Sequence, residues 1–413
     1  MQQLIINIGC LAGIQQNNTI LRGAALATIQ TITNAFLLVE NGCIKQFGSM
    51  IEIELQQYTS AEIVDANGAT ILPAWCDSHT HLVFAASREE EFVDKLKGKT
   101  YAEIAAKGGG ILNSAAKLQN VSENELYEKA AMRLSELIKL GTGAVEIKSG
   151  YGLTVAAELK MLRVIKRLKE TFAQIPVKAT FLGAHAFPAE FKNDHEGYID
   201  LIINEMLPGI AKENLADYID VFCEQGFFSV DEMIRVCNAG ADYGLKPKLH
   251  VNQLNSIGGI QAAVELKAVS VDHLETMTDN DVQVLANSNT IGTLLPTAAF
   301  FLRMQYQPAR QLIDSGCAIA LASDFNPGSS PSGNMNFVVA LSCIQMKMLP
   351  AEAINAATQN AAFAMEVQNE MGSITAGKKA NLIFTKPITS IDYLPYAFGS
   401  DLIDRVMIAG SFV

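Results

Sequence analysis

Two histidines one residue apart, His79 and His81, close the apolar run ILPAWCDSHTHLVF (71–84), in a chain of 413 residues that has only six histidines. Side chains at i and i+2 on an extended strand point to the same side, so two imidazoles placed there can converge on one metal ion. Hydrogen bonds in an ordinary loop would satisfy an isolated pair as well, so further ligands must be found. His250 ends the run PKLHV (247–251) and Asp324 ends AIALASD (318–324). Three imidazoles and one carboxylate form a donor set suited to Zn²⁺ or Fe²⁺. A catalytic ion also needs an open position for a water whose pKa it lowers towards ~7. His273, at the end of AVSVDH (268–273), would stand beside such an ion, holding the attacking water or stabilising a developing oxyanion. Asp324, touching both ion and water, is the expected proton acceptor.

Three further stretches read as substrate contacts. Arg88, in AASREEEF, could grip a substrate carboxylate in bidentate fashion, or pair with Glu89, Glu90 or Glu91 on the surface. KSGYG (148–152) offers Lys148, Ser149 and Tyr151, with two glycines that permit a tight turn. DFNPGSS (324–330) continues from Asp324 into a Pro-Gly turn whose Gly328 and Ser329 N–H groups could receive an anion.

Residues so far apart in sequence need a scaffold that brings strand ends together. From residue 70 onward, eight short apolar or β-branched runs end in polar residues: 71–75, 143–149, 177–184, 218–224, 247–251, 268–273, 290–296 and 318–324. Helical spacing separates most of them, as in 123–140, 154–172 and 230–243. Eight alternations, with no Gly-rich dinucleotide fingerprint after the first, predict a closed (β/α)8 TIM-like barrel over 67–365. Chemistry on such a barrel sits at the C-terminal ends of the strands. His79, His81, His185, His250 and His273 fall there, and His195 alone lies elsewhere, in a polar loop. The fourth run ends FCEQG, without the lysine that would bridge a second ion, so one divalent ion per subunit is expected. The insertion 76–122, with GGG at 108–110, is a candidate active-site loop. Residues 1–66 (FLLVENG, CIKQFG, IEIELQQ) and 366–413 (NLIFTKP, DRVMIAGSFV) read as hairpins that share one core, a small β-sandwich-like domain built from both termini.

Composition narrows the partners. A net charge of −12 without a Lys/Arg run argues against nucleic acid and anionic membranes and favours a small molecule. Seven scattered cysteines lack a CxxC pair, so they read as buried thiols. With no uncharged apolar stretch of about 18 residues and no signal-peptide pattern, a soluble cytoplasmic protein is expected.

Taken together, HTHLVFAASREEEF, GGGI, EIKSGYGL, FLGAHAFP, DVFCEQGFFS, VDHLE, LLPTAAFFL and LASDFNPGSSP closely resemble the imidazolonepropionase family of the amidohydrolase superfamily, which acts in histidine degradation. The likeness runs from about residue 60 to 380, and GSITAGKKANL resembles the return of the chain into that superfamily's small β domain. It implies that water opens the ring of 4-imidazolone-5-propanoate at its cyclic C–N bond, giving N-formimidoyl-L-glutamate. It assigns the metal to His79, His81, His250 and Asp324. Arg88, Tyr151, His185, Asn326, Gly328 and Ser329 become substrate contacts, and the substrate a small molecule with a carboxylate tail. A homodimer is also implied. One position departs from the family pattern: after His250 a glutamate is usual at the third position, whereas here it is Gln253. Its amide can hydrogen-bond the substrate ring but cannot carry protons. With His273 and Asp324 present, proton transfer remains feasible and Gln253 reads as a family variant. The alternatives are a sister deaminase of a cyclic amidine or nucleobase, which would not need Arg88, and a silent relative retained for binding.

Overall fold

The computed structural model describes residues 2–99, 103 and 109–413, which form two sheets. The first draws on both ends of the chain: β1 (Gln2–Ile14), β2 (Gln30–Glu40), β3 (Cys43–Ser49), β4 (Glu62–Asp65) and β5 (Thr70–Pro73), with β14 (Leu382–Thr385), β15 (Ile403–Ile408) and β16 (Ser411–Phe412). The β2–β3 hairpin turns at Asn41-Gly42, both in left-handed backbone (φ 52° and 80°), the primed turn that Asn-Gly favours. The returning β14 pairs antiparallel with β5, so Ile5, Ile8, Leu11, Leu37, Ile71, Leu382, Phe384 and Met407 bury one common core. Neither terminus carries enough apolar surface to do this alone. IEIELQQ departs from its predicted strand and forms short 3₁₀ turns, because Ile51 is 90% exposed and Glu52 reaches back to the Ser49 N–H at 3.1 Å.

The second sheet is the barrel: β6 (Trp75–Thr80), β7 (Thr142–Lys148), β8 (Val177–Ala184), β9 (Tyr218–Cys223), β10 (Lys246–Val251), β11 (Ser270–His273), β12 (Ile291–Leu294) and β13 (Ile319–Leu321), parallel neighbours in chain order. The seam between β6 and β13 closes just beyond the short β13, where Asp324 N–H donates to the His79 carbonyl (3.0 Å) and His81 N–H to the Phe325 carbonyl (2.9 Å). Below it, Asp77 accepts from Ser323 N–H at 3.0 Å and from its hydroxyl at 2.5 Å. The helices predicted near 123–140, 154–172 and 230–243 are Glu123–Lys139, Val155–Thr171 and Val230–Ala241, each capped by a hydroxyl, of Ser122, Thr154 and Ser229.

The first predicted barrel strand needs correction. ILPAW is divided: Thr70–Pro73 belongs to the terminal sheet, and the barrel begins at Trp75. The transfer occurs at Ala74 and Trp75, whose N–H groups donate to the carbonyls of Asn381, just before β14, and Gly141, just before β7. An apolar run buried on both sides carries no signal of where it changes partner. His79 consequently lies within the strand. Part of the 76–122 insertion, at 100–102 and 104–108, lies outside the described residues, and Gly108 with it. Among the described residues no helix is long and apolar enough to cross a membrane.

Candidate active site

At the C-terminal mouth of the barrel, β6 and β10 bring three imidazoles together. Ring nitrogens of His79, His81 and His250 lie within 4.8 Å of one another, and His79, His273 and Asp324 form a second such group. Asp324 Oδ1 stands 3.5 Å from His79 Nε2 and 3.6 Å from His81 Nε2. The four expected ligands are thus adjacent. His79 Nδ1 lies 2.7 Å from Asp272 Oδ2, and His250 Nδ1 lies 2.7 Å from Asp220 Oδ2. Carboxylates at Nδ1 hold that nitrogen's proton and leave Nε2 as the free lone pair.

A divalent cation fits this donor set on a structural observation. His79 Nε2 and His81 Nδ1 are buried without a hydrogen-bond partner, a cost of ~1–3 kcal/mol for each orphaned group. Burial, the largest influence, together with neighbouring cationic groups holds all three imidazoles well below the usual histidine range, so they are neutral and able to ligate.

His273 differs from these three. Burial depresses its pKa, but the Glu275 carboxylate, 3.3 Å from Nδ1, with Asp324 and Asp272 turns the net shift upward. It therefore retains a proton more readily than the three cluster imidazoles. His273 (φ 90°), Leu274 (φ 69°), Asn252 (φ 58°) and Asp324 (φ 52°) all have left-handed backbone at the strand mouths. For Asn and Asp this conformation is tolerated, whereas for His and Leu it stores strain, of the kind that clusters at functional sites.

A cavity of about 350 Å³ opens over the cluster, and His81, Arg88, Tyr151, His185, His250, Gln253, His273, Asp324, Asn326, Gly328 and Ser329 all line it. Ile111, beside the GGG stretch, lines it too. His185 Nδ1 lies 3.0 Å from the Gly150 carbonyl, to which it donates; burial pushes its pKa down to about 4, so its Nε2 is an acceptor at neutral pH. Its ring stacks on His81 with centroids 5.6 Å apart.

Several expected contacts are arranged differently. Lys148 does not line the cavity; it is fully buried beneath the imidazoles, because β7 places it on the inward face of the barrel. Ser149 is also internal, accepting from Leu182 N–H at 3.0 Å. The N–H groups of Gly328 and Ser329 already donate to Asn326 Oδ1, each at 2.8 Å. An asparagine two residues before the turn competes for those donors, so an anion would have to displace it. The Ser329 hydroxyl instead reaches Asp324 Oδ2 at 3.2 Å. Arg88 donates through Nε to Glu91 at 3.0 Å while still lining the cavity, so it combines its ion pair with an open edge. His195 is the first residue of a helix, His195–Leu201, stacked on Phe187 with centroids 3.6 Å apart, rather than in a loop.

Other site residues were not visible in the sequence. Glu158 accepts from Gly150, Gly152 and Leu153 N–H groups at 3.1, 2.7 and 3.0 Å and so shapes the loop that presents Tyr151. Glu224 accepts from Leu254 and Asn255 N–H groups at 2.8 and 3.2 Å and shapes the loop that carries Gln253. Lys95 lines the cavity near Arg88. Asp220 and Asp272 had one legible signal, acidic residues inside otherwise apolar strands.

Comparison with known proteins agrees with this architecture. The amidohydrolase family model matches residues 70–413. The imidazolonepropionase of Flavobacterium johnsoniae is 57% identical over 414 residues, covering all of both chains, and that of Christiangramia forsetii 54%, again over the whole of both. The chain belongs to the imidazolonepropionase family of amidohydrolases. Among solved structures, E. coli guanine deaminase superposes with a TM-score of 0.77 at 14% identity, covering 100% of this chain and 99% of that one, a likeness of fold.

In this imidazolonepropionase relative, one close approach has a measurable consequence. A Cβ built on Gly328 would stand 2.3 Å from Arg88 Nη1. Gly328→Ala is therefore expected to displace the arginine end while leaving the fold intact, because a flexible side chain yields more readily than backbone. Losing a charged hydrogen bond of about 1.5 kcal/mol corresponds to a rise in KM of about tenfold. Steady-state kinetics beside thermal melting checks this; an unchanged KM would remove Arg88 from substrate binding.

Proposed function

We propose that this protein hydrolyses the cyclic C–N bond of 4-imidazolone-5-propanoate, giving N-formimidoyl-L-glutamate in histidine degradation. The observation that carries the reading is a single cavity lined by Arg88, His81, His250 and Asp324, with the buried His79 set against those two imidazoles and the carboxylate. Full-length identity of 57% to a protein named imidazolonepropionase supports the substrate. His79, His81, His250 and Asp324 would hold one divalent ion, Zn²⁺ or Fe²⁺. When bound there, the ion supplies Lewis acidity and lowers the pKa of water towards ~7.

The chain's own residues account for the remaining chemistry. Arg88, with Lys95 nearby, receives the propanoate carboxylate. Tyr151 and His185 flank the neutral ring, with His185 Nε2 accepting a ring N–H and the Gln253 amide bonding a ring heteroatom. As water oxygen adds to the ring carbonyl carbon, Asp324 takes its proton. With no ion bound, burial, only partly offset by His273 and by hydrogen bonds from Asn326 and Ser329, raises the Asp324 pKa to about 6; a divalent ion at this carboxylate would lower it. His273, holding its proton through Glu275, donates to the developing oxyanion. The proton on Asp324 then passes to the departing ring nitrogen, and the C–N bond breaks. A net charge of −12 suits a cytoplasmic enzyme of small molecules.

The test is loss of imidazolonepropanoate absorbance with purified protein whose bound metal has been measured by elemental analysis. Turnover that depends on Arg88 is the expected result. No turnover with one equivalent of metal present would overturn the assignment.

A further inference from the structure

Beneath the imidazoles lies a layer of buried charge that the hydrolytic steps do not use. Glu146 and Lys148 on β7, Asp220 on β9, Lys248 on β10 and Asp272 on β11 all point into the barrel with at most 1% exposure. Lys148 Nζ stands 2.9 Å from Glu146 Oε1, 2.9 Å from Asp220 Oδ2 and 3.5 Å from Asp272 Oδ2. The last two oxygens are the same ones that face the Nδ1 atoms of His250 and His79, each at 2.7 Å. One ammonium therefore touches both atoms that orient two imidazoles on opposite sides of the barrel.

We propose that Lys148 is a positioning residue: its single ammonium ties Asp220 and Asp272 together and so sets His250 and His79 at the angle a shared cation needs. The inference rests on the reading that these imidazoles hold a divalent ion. Three donors on one tetrahedral centre suit the geometry, since two carboxylates left facing each other in a dry interior would repel and rotate away. Lys248 provides an internal contrast. It is as deeply buried and also pairs with Glu146, at 2.8 Å, but its other bond goes to the Ala364 carbonyl at 2.8 Å. It is bonded to neither carboxylate beneath the imidazoles.

The experiment compares two variants of equal charge change, Lys148→Met with Glu146→Gln, and Lys248→Met with Glu146→Gln. Zn²⁺ affinity is measured by competition with a chromogenic chelator, and the visible spectrum is recorded after Co²⁺ substitution. Loss of an outer hydrogen-bond partner typically weakens metal binding about 10–100-fold. We expect that loss, and an altered Co²⁺ spectrum, for the Lys148 variant, with the Lys248 variant within about threefold of the native protein. Equal effects in both variants, or none in either, would overturn the proposal. If the Lys148 double variant does not fold, Lys148→Gln, which keeps a donor for Asp220 without the charge, is read in the same way. Native protein that takes up no Zn²⁺ at all would instead refute the metal reading itself, and the positioning role with it.

Discussion

Asp324→Asn is expected to lower kcat for ring hydrolysis about 10²–10⁴-fold at constant metal content, the range lost when a general base is removed. The amide preserves the shape of the side chain, and asparagine tolerates the left-handed backbone (φ 52°) that Asp324 adopts. What disappears is the carboxylate of the donor cluster to which the proposed mechanism gives the water proton. Stability should move the other way in metal-free protein. The Asp324 carboxyl is pushed by burial to about 6 from an ordinary value of 3.8. A folded-state pKa raised in this way means the metal-free protein loses stability as pH rises from about 4 through about 6. The neutral amide escapes that loss. The variant's melting temperature, relative to native, should therefore be higher at pH 8 than at pH 4.5. Full activity in metal-loaded Asp324→Asn would remove this residue from the proton path.

Stripping the ion should have an effect as large. Dialysis against a strong chelator is expected to abolish turnover and lower the melting temperature by a few degrees, since a ligand at 100 times its Kd stabilises by ~2.7 kcal/mol. Zn²⁺ or Fe²⁺ should restore both, and Mg²⁺ should not, because neutral imidazoles are poor partners for an ion that prefers oxygen. Undiminished activity in protein shown by elemental analysis to be metal-free would end the metal-dependent mechanism.

Much of the site was readable because a (β/α)8 barrel converts strand order into proximity. The positions of His79, His81, His250, His273 and Asp324 near strand ends sufficed to gather them. The residues that shape and support the site were not readable. Glu158 and Glu224 sit on a helix and at a strand end with nothing local to mark them, yet each gathers backbone N–H groups from a loop that presents a cavity residue. Their role follows from where loops fold back, and no spacing rule encodes that. The same holds for Lys148, adjacent to a loop that reads as substrate-facing but turned inward by the alternation of β7.

By itself, the sequence determined the architecture and the donor types: eight alternations of strand and helix, an acidic chain, and three imidazoles and a carboxylate at strand mouths. These are properties of period, composition and side-chain chemistry, all local. Only the tertiary structure decided which atoms face which. It divided ILPAW between two sheets, engaged the Gly328 and Ser329 amides with Asn326, and set one lysine against the two carboxylates that orient His79 and His250. Such choices depend on competition among hydrogen-bond partners brought together by long-range packing, where contacts separated by tens to hundreds of residues settle which donor meets which acceptor.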